Sequence, residues 1–310
     1  SDETEYYISY FRDDFRPAIE QNFVCLAETD QNPPVYSNII SRTGEQLRTY
    51  RLAVAATGEY TTLLGGQVPT LANINTTINR ITGVYETEVS LRMILVANNN
   101  LLVYLDGSTD PYTNNSGGAM LGQNQANVDA VRGNANYDIG HVVSTNGGGV
   151  AQLRVPCVTG SKARGVTGTS TPYGDPFDID YVAHEMGHQW GGNHTFNSST
   201  SSCGGGNRNP GTAYEVGSGT TIQAYAGICG SDNTQPNSDP FFHTVSFDEI
   251  SNYISTGNGN NCKVATNNGN TLPSITSMNN NGANIPLNTP FTLTGTATDA
   301  NNDPISYCWE

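Results

Sequence analysis

Lysine is close to absent from this chain: Lys162 and Lys263 are the only two in 310 residues. Lysine and arginine together number 13 against 28 aspartates and glutamates, a formal net charge of −15. A surface of that sign repels phosphates and argues against a nucleic-acid partner. No apolar run approaches the roughly 20 residues that cross a bilayer. The opening SDETEYYISYF has no charged start followed by an apolar stretch, so it is not a signal peptide, and Ser1 reads as a processing boundary or an artificial start. The six cysteines include no CxxC pair, which favours disulfides and an oxidising compartment: secreted, periplasmic or cell-surface. Only 13% of residues are charged and 36% hydrophobic, with 34 glycines, so loops and turns should be extensive around a globular core.

Composition divides the chain in three. Residues 1–46 combine a short aromatic strand candidate, YYISYF, with a polar Pro-Pro linker, ETDQNPPVYSN. Residues 47–267 alternate strand and helix signals. TYRLAVAATGEY, SLRMILVANN, YDIGHVVST and GGGVAQLRVPCV have strand composition, while Ile74, Ile78, Ile81 and Val84 recur at helical spacing. DIDYVAHEMGHQW reads as a helix capped by Asp178 or Asp180, and Ser246 with Glu249 has the S-x-x-E spacing of a capping box. This pattern predicts a mixed α/β domain. In residues 268–310, SITSM and PFTLTGTATDANNDPISYCWE look like strands joined by turns, too few for an independent β-sandwich. They form either a truncated module, like the start of an immunoglobulin-like domain, or a piece packed on the main domain.

Histidine is scarce as well, yet three of the five fall in HEMGHQWGGNH, residues 184–194. On a helix His184 and His188 lie one turn apart on one face and aim at a common point. His194 joins them only if the helix stops, and Gly191 with Gly192 supplies a residue that tolerates the left-handed turn. Three imidazoles with one position open is the demand of a catalytic zinc. Glu185, rotated about the axis, is poorly placed as a fourth ligand and well placed to take a proton from an attacking water. The plainer alternative is a helix bearing satisfied polar side chains or a structural metal. His141 and His243 stand alone and read as packed histidines rather than ligands.

HEMGHQWGGNH resembles the metzincin signature of zinc endopeptidases. The longer stretch GSKARGVTGTSTPYGDPFDIDYVAHEMGHQWGGNHTF, with TIQAYAGICG downstream, is most similar to secreted bacterial reprolysin-like (adamalysin-like) metallopeptidases, over roughly residues 47–265. The resemblance implies an α+β catalytic domain, with a twisted mixed sheet, an active-site helix and a backing helix. It implies Zn2+ held by His184, His188 and His194, Glu185 as general base, and protein or peptide substrates cleaved by a monomer. It places GGGVAQLRVP at the sheet edge bordering the cleft, where an extended peptide can pair. It also implies a methionine beneath the metal, and here the sequence departs: Gln223 takes that place. Tyr225 stands where some metzincin branches carry a metal-proximal tyrosine, a candidate oxyanion donor or an ordinary packed ring.

By the same resemblance Cys157 pairs with Cys262 and Cys203 with Cys229. Cys25 and Cys308 are left to pair with each other or otherwise. A second option for Cys25 is that residues 1–46 are propeptide and its sulfur fills the open metal position of a latent zymogen. The acidic turns STDPYTNN, YGDPFDID and TDANNDP read as solvated turns with an outside claim to a structural Ca2+. The functional expectation is a secreted zinc endopeptidase. Its rival is a binding or adhesion protein that keeps the fold without turnover, for which Gln223 and the C-terminal module are the support.

Overall fold

The computed structural model of the chain describes Cys25 and residues 43–279, 284–307 and 309. The YYISYF strand, the Pro-Pro linker and the pairing of Cys308 lie outside the described residues. In chain order the regular elements are β1 (Gln46–Ala56), α1 (Gly58–Leu63), α2 (Gln67–Val89), β2 (Leu91–Leu95), α3 (Gly117–Arg132), β3 (Ile139–Ser144), β4 (Gly148–Ala151), β5 (Gly165–Gly168), α4 (His184–Trp190), α5 (Thr244–Ser255), β6 (Val264–Asn267), β7 (Ser274–Asn279) and β8 (Thr294–Thr298).

The main sheet runs β2-β1-β3-β5-β4, with β6 pairing the start of β1. Neighbours β2, β1, β3 and β5 are parallel, while β4 is antiparallel to β5 and forms the edge. Parallel strands covered on both faces carry continuous apolar runs, and Leu52–Ala56 and all of β3 are buried accordingly. On one face α2 packs through Ile74, Ile78, Ile81, Val84 and Tyr85, joining a core with Leu52, Val54, Phe177, Met186 and Trp190. On the other face α3 packs Met120 and Val128 against Ala53, Ala55, Val142 and Val166. This is a mixed sheet covered by helices on both faces, an α+β arrangement with α2 as backing helix.

Two helix starts differ from expectation. Neither Asp178 nor Asp180 caps the active-site helix. A wide, π-type turn over Phe177–Ala183 leads into α4. Asp178 accepts from Thr77 Oγ1 at 2.7 Å and Asp180 from the Ser238 N–H at 2.8 Å, so both carboxylates tie this helix to its neighbours. The Ala183 carbonyl accepts from Tyr85 Oη at 2.8 Å, tying the turn to α2. Likewise α5 begins before Ser246: His243 Nδ1 accepts from the Val245 N–H and is the cap. Glu249 is thereby released for another task, described below.

β7 and β8 form an antiparallel pair whose side chains are exposed along all of β7. Residues 305–307 carry no strand.

Candidate metal centre

All seven residues of α4 are buried, and the helix is clamped between sheet and loops. Gln189 faces the sheet: it donates to the Gly140 carbonyl at 2.9 Å and accepts from His141 Nδ1, while His141 Nε2 meets Thr167 Oγ1 at 2.9 Å. Burial pushes His141 down to about 4, so it is a neutral linker between strands and helix, in keeping with its reading as a packed histidine. Trp190 packs against Tyr50 with ring centroids 4.6 Å apart and planes tilted by 57°.

Gly191 ends the helix at φ 109, a conformation open to glycine, and its N–H caps the Gly187 and His188 carbonyls. The chain then folds back. The three Nε2 atoms converge: His184 to His188 3.0 Å, His188 to His194 3.0 Å, His184 to His194 3.3 Å. Each outward Nδ1 is held by a backbone carbonyl: Ile222 for His184 at 2.6 Å, Gly192 for His188 at 2.7 Å, Asn207 for His194 at 2.7 Å. Those contacts require an N–H at Nδ1, so each Nε2 presents a lone pair to the centre.

The fourth corner is Cys25, whose sulfur lies 3.5 Å from Nε2 of both His188 and His194. Tetrahedral bonds of about 2.0–2.1 Å to nitrogen and about 2.3 Å to sulfur imply separations of about 3.4 Å between nitrogens and about 3.5 Å from nitrogen to sulfur. Lone pairs facing one another at these spacings fit a cation. Among the described residues these four are the only group that brings three or more metal-ligating side chains together. Burial lowers His184 to about 4 and holds His188 and His194 well below the ordinary imidazole value, the unprotonated form that ligation needs. The acidic turns behave differently: Asp110 accepts from the Gly58 and Tyr112 N–H groups, and Asp299 from those of Asn301 and Asp303.

Glu185 is fully buried beside the cluster, and neither carboxylate oxygen meets an N–H or O–H donor among the described residues. Burial pushes it up to about 8, with the nearby Cys25 thiol pulling partly back. Tyr225 packs its ring against His194, centroids 4.6 Å apart, and stacks on Phe196 at 4.4 Å. Its hydroxyl donates to the Cys25 carbonyl at 3.2 Å. Cys25 also makes a parallel ladder contact with Gly149 of the edge strand β4. Gln223 sits beneath His188, its amide nitrogen 3.3 Å from the Gly192 carbonyl. Cys157 is bonded to Cys262 and Cys203 to Cys229, with Cα atoms 5.5 and 5.2 Å apart.

Supports that sequence reading missed come from far along the chain. Glu249 of α5 binds Asn193, and Asn193 Oδ1 accepts from Asn209 at 2.9 Å. Glu215 accepts from Thr195 Oγ1 and the Thr220 N–H, both at 2.6 Å, which joins the residue after His194 to the loop before Gln223. Glu215, an acidic residue within a polar loop, gave only a faint hint of this role, and Glu249, inside α5, read as a capping residue instead.

The profile of the metallo-peptidase family M12B, reprolysin-like, matches residues 46–254. The chain belongs to this reprolysin-like family. No curated protein matches it. Among solved structures it is similar to metalloproteinase-II from Bacteroides fragilis, at 12% identity and a TM-score of 0.37, covering 68% of this chain and 54% of that one. It is also similar to myroilysin, at 11% identity and a TM-score of 0.36, covering 76% of this chain and 90% of the other. The chain thus spans about half the length of the Bacteroides protein. Within the reprolysin-like domain, the histidines, Glu185 and the glycine turn all lie in the matched span.

Proposed function

We propose that the chain is a zinc-dependent endopeptidase acting on proteins and held in a latent form by its own N-terminal segment. The observation that carries this reading is the four-cornered cluster of three imidazole nitrogens and the Cys25 sulfur beside a buried carboxylate. Nitrogen and sulfur donors in a tetrahedron suit Zn2+ above harder cations. Zinc at this position supplies Lewis acidity, polarising a peptide carbonyl and acidifying water.

The protein's own groups do the rest. Glu185 accepts the proton of the attacking water and returns it to the leaving amine. Its burial supports that role, because a carboxyl raised toward neutrality can both take and give a proton. Tyr225 already donates to a peptide carbonyl, that of Cys25, and would donate likewise to the oxygen of a substrate carbonyl as charge develops there. The edge of β4 binds extended chain, as the Cys25–Gly149 contact illustrates. With Cys25 at the fourth corner, the same place cannot take water. Residues 47–267 would be the peptidase domain, 1–46 the inhibitory segment and 268–310 a separate β module. Two disulfides favour secretion.

Hydrolysis of an unstructured protein such as casein by Cys25→Ser protein, abolished by chelation, restored by Zn2+ and lost in Glu185→Gln, is the expected result. A stoichiometric metal with no hydrolysis of any peptide would favour the binding-protein reading instead.

A further inference from the structure

Resting on the metal-centre reading, we propose that Gln223 is a positioning residue: it fixes His188 through the Gly192 carbonyl and strengthens metal retention while weakening the fold. Gly192 lies in the turn that follows the helix, has no side chain of its own, and supplies the acceptor for His188 Nδ1 at 2.7 Å. The ring nitrogen that makes this bond carries its proton there, so it has no lone pair for the Gln223 amide 3.1 Å away. The amide N–H instead meets the second lone pair of the Gly192 carbonyl, 3.3 Å distant. That carbonyl is then gripped from two sides, and with it the orientation of the imidazole. The backbone of the same segment orients the rest of the site: Ile222 accepts from His184 Nδ1 at 2.6 Å and Gln223 accepts from the Thr195 N–H at 3.2 Å. One short segment therefore steadies all three imidazoles, and the glutamine side chain is its hold on the second.

The arrangement has an unfavourable side. Gln223 Oε1 is fully buried and receives no hydrogen bond among the described residues. It faces Gly187, where a Cβ would come within 2.2 Å of that oxygen. A buried acceptor without a donor destabilises the fold. A methionine side chain, of similar length, would lose the N–H that grips Gly192 but would carry no orphaned oxygen. Metal retention and fold stability should therefore move in opposite directions on Gln223→Met. A residue with a merely structural role would move them together.

The test uses the full chain, wild type and Gln223→Met, with zinc as the probe. Competition against a chromophoric chelator should show zinc held about 10-fold more weakly in the variant. Urea unfolding of the zinc-free proteins should show the variant's midpoint raised. Replacing zinc by cobalt should shift the visible bands of the variant, reporting altered geometry at the ligands. Equal zinc retention in the two proteins overturns the proposal, and so does weaker retention accompanied by a lowered urea midpoint. Absence of stoichiometric zinc from the wild type would instead bring down the metal-centre reading itself.

Gly187→Ala gives a second line, because its methyl group would press on the Gln223 amide, within 2.2 Å of Oε1. It should weaken zinc retention in the wild-type background, and unchanged retention would overturn the assignment.

Discussion

Glu249 holds Asn193 with both carboxylate oxygens: the backbone N–H donates at 2.7 Å and the side-chain amide at 2.6 Å. Asn193 is the residue between the glycine turn and His194, so a helix more than fifty positions downstream fixes the approach of the third imidazole. Both partners are buried, Asn193 at 1% exposure and Glu249 at 1%, which leaves no water to substitute if one is removed.

Glu249→Ala should lower stability by about 2–4 kcal/mol, since two bonds to a charged acceptor are lost and a buried N–H is orphaned. Glu249→Gln, which keeps one acceptor, should cost less. Urea denaturation of the two variants gives the order. Zinc content after dialysis should fall in the same order, and unchanged zinc in Glu249→Ala would mean that the turn holds His194 without help.

Cys25→Ser should release activity. The sulfur sits 3.5 Å from Nε2 of His188 and of His194, and the hydroxyl of serine would be a much poorer partner for the proposed zinc. Peptide hydrolysis by the variant should exceed that of the wild-type chain several times over, at equal zinc content. Equal rates would show that Cys25 does not hold the enzyme in check.

Asp178 offers a pH prediction with a definite sign. Burial raises its carboxyl from 3.8 to about 6, with Asp175 adding to the rise, while the Thr77 hydroxyl and Arg80 oppose it. Between those values the folded protein binds the proton that the unfolded chain has released. The stability it contributes is therefore complete below pH 3.8 and is lost as pH climbs through 6. Asp178→Asn keeps an acceptor for Thr77 and carries no charge to bury. It should gain up to about 3 kcal/mol over wild type at pH 7 and almost nothing at pH 3.5. Thermal unfolding at the two pH values measures the difference, and a gain that is larger in acid would contradict the assignment.

The metal helix and α2 were legible because their signals are local. Imidazoles four residues apart, a glycine pair and isoleucines at helical spacing state their geometry within a turn or two of chain. The helix α3 was not legible: its buried face carries Asn124 and Gln125 beside Met120 and Val128, so no apolar stripe appears. Those amides are satisfied across the fold, Asn124 donating to the Ala163 carbonyl and Gln125 to Tyr137 Oη, and such partners cannot be read from sequence spacing. The false capping box has the same origin. Ser246 and Glu249 have the right separation, but Glu249 gains more from Asn193 than from a helix end that His243 already caps. Cys25 was a candidate ligand only through what the metzincin resemblance implies for a propeptide cysteine. Its arrival at the histidines depends on a contact spanning 163 residues.

The disulfide between Cys203 and Cys229 should matter to the metal as much as to the fold. It closes a 26-residue separation, for which chain entropy gives about 3.5 kcal/mol. Within that loop lies Asn207, whose carbonyl is the acceptor for His194 Nδ1 at 2.7 Å, and Asn207 Nδ2 in turn donates to the Ser202 carbonyl beside Cys203. Opening the bond frees the loop end that carries this acceptor, and His194 loses the partner that fixes its proton on the outer nitrogen. The double variant Cys203→Ser with Cys229→Ser should therefore unfold at lower urea and also release zinc faster to a chelator under conditions where it remains folded. The pair Cys157–Cys262 spans a longer separation of 105, but neither of its ends lies beside Asn207, Gly192 or Ile222, whose carbonyls hold the imidazoles. Its removal should lower the urea midpoint at least as far while leaving the zinc release rate of the folded protein near wild type. Equal acceleration in both double variants would mean that metal loss follows general loosening, and that the Asn207 loop has no particular hold on His194.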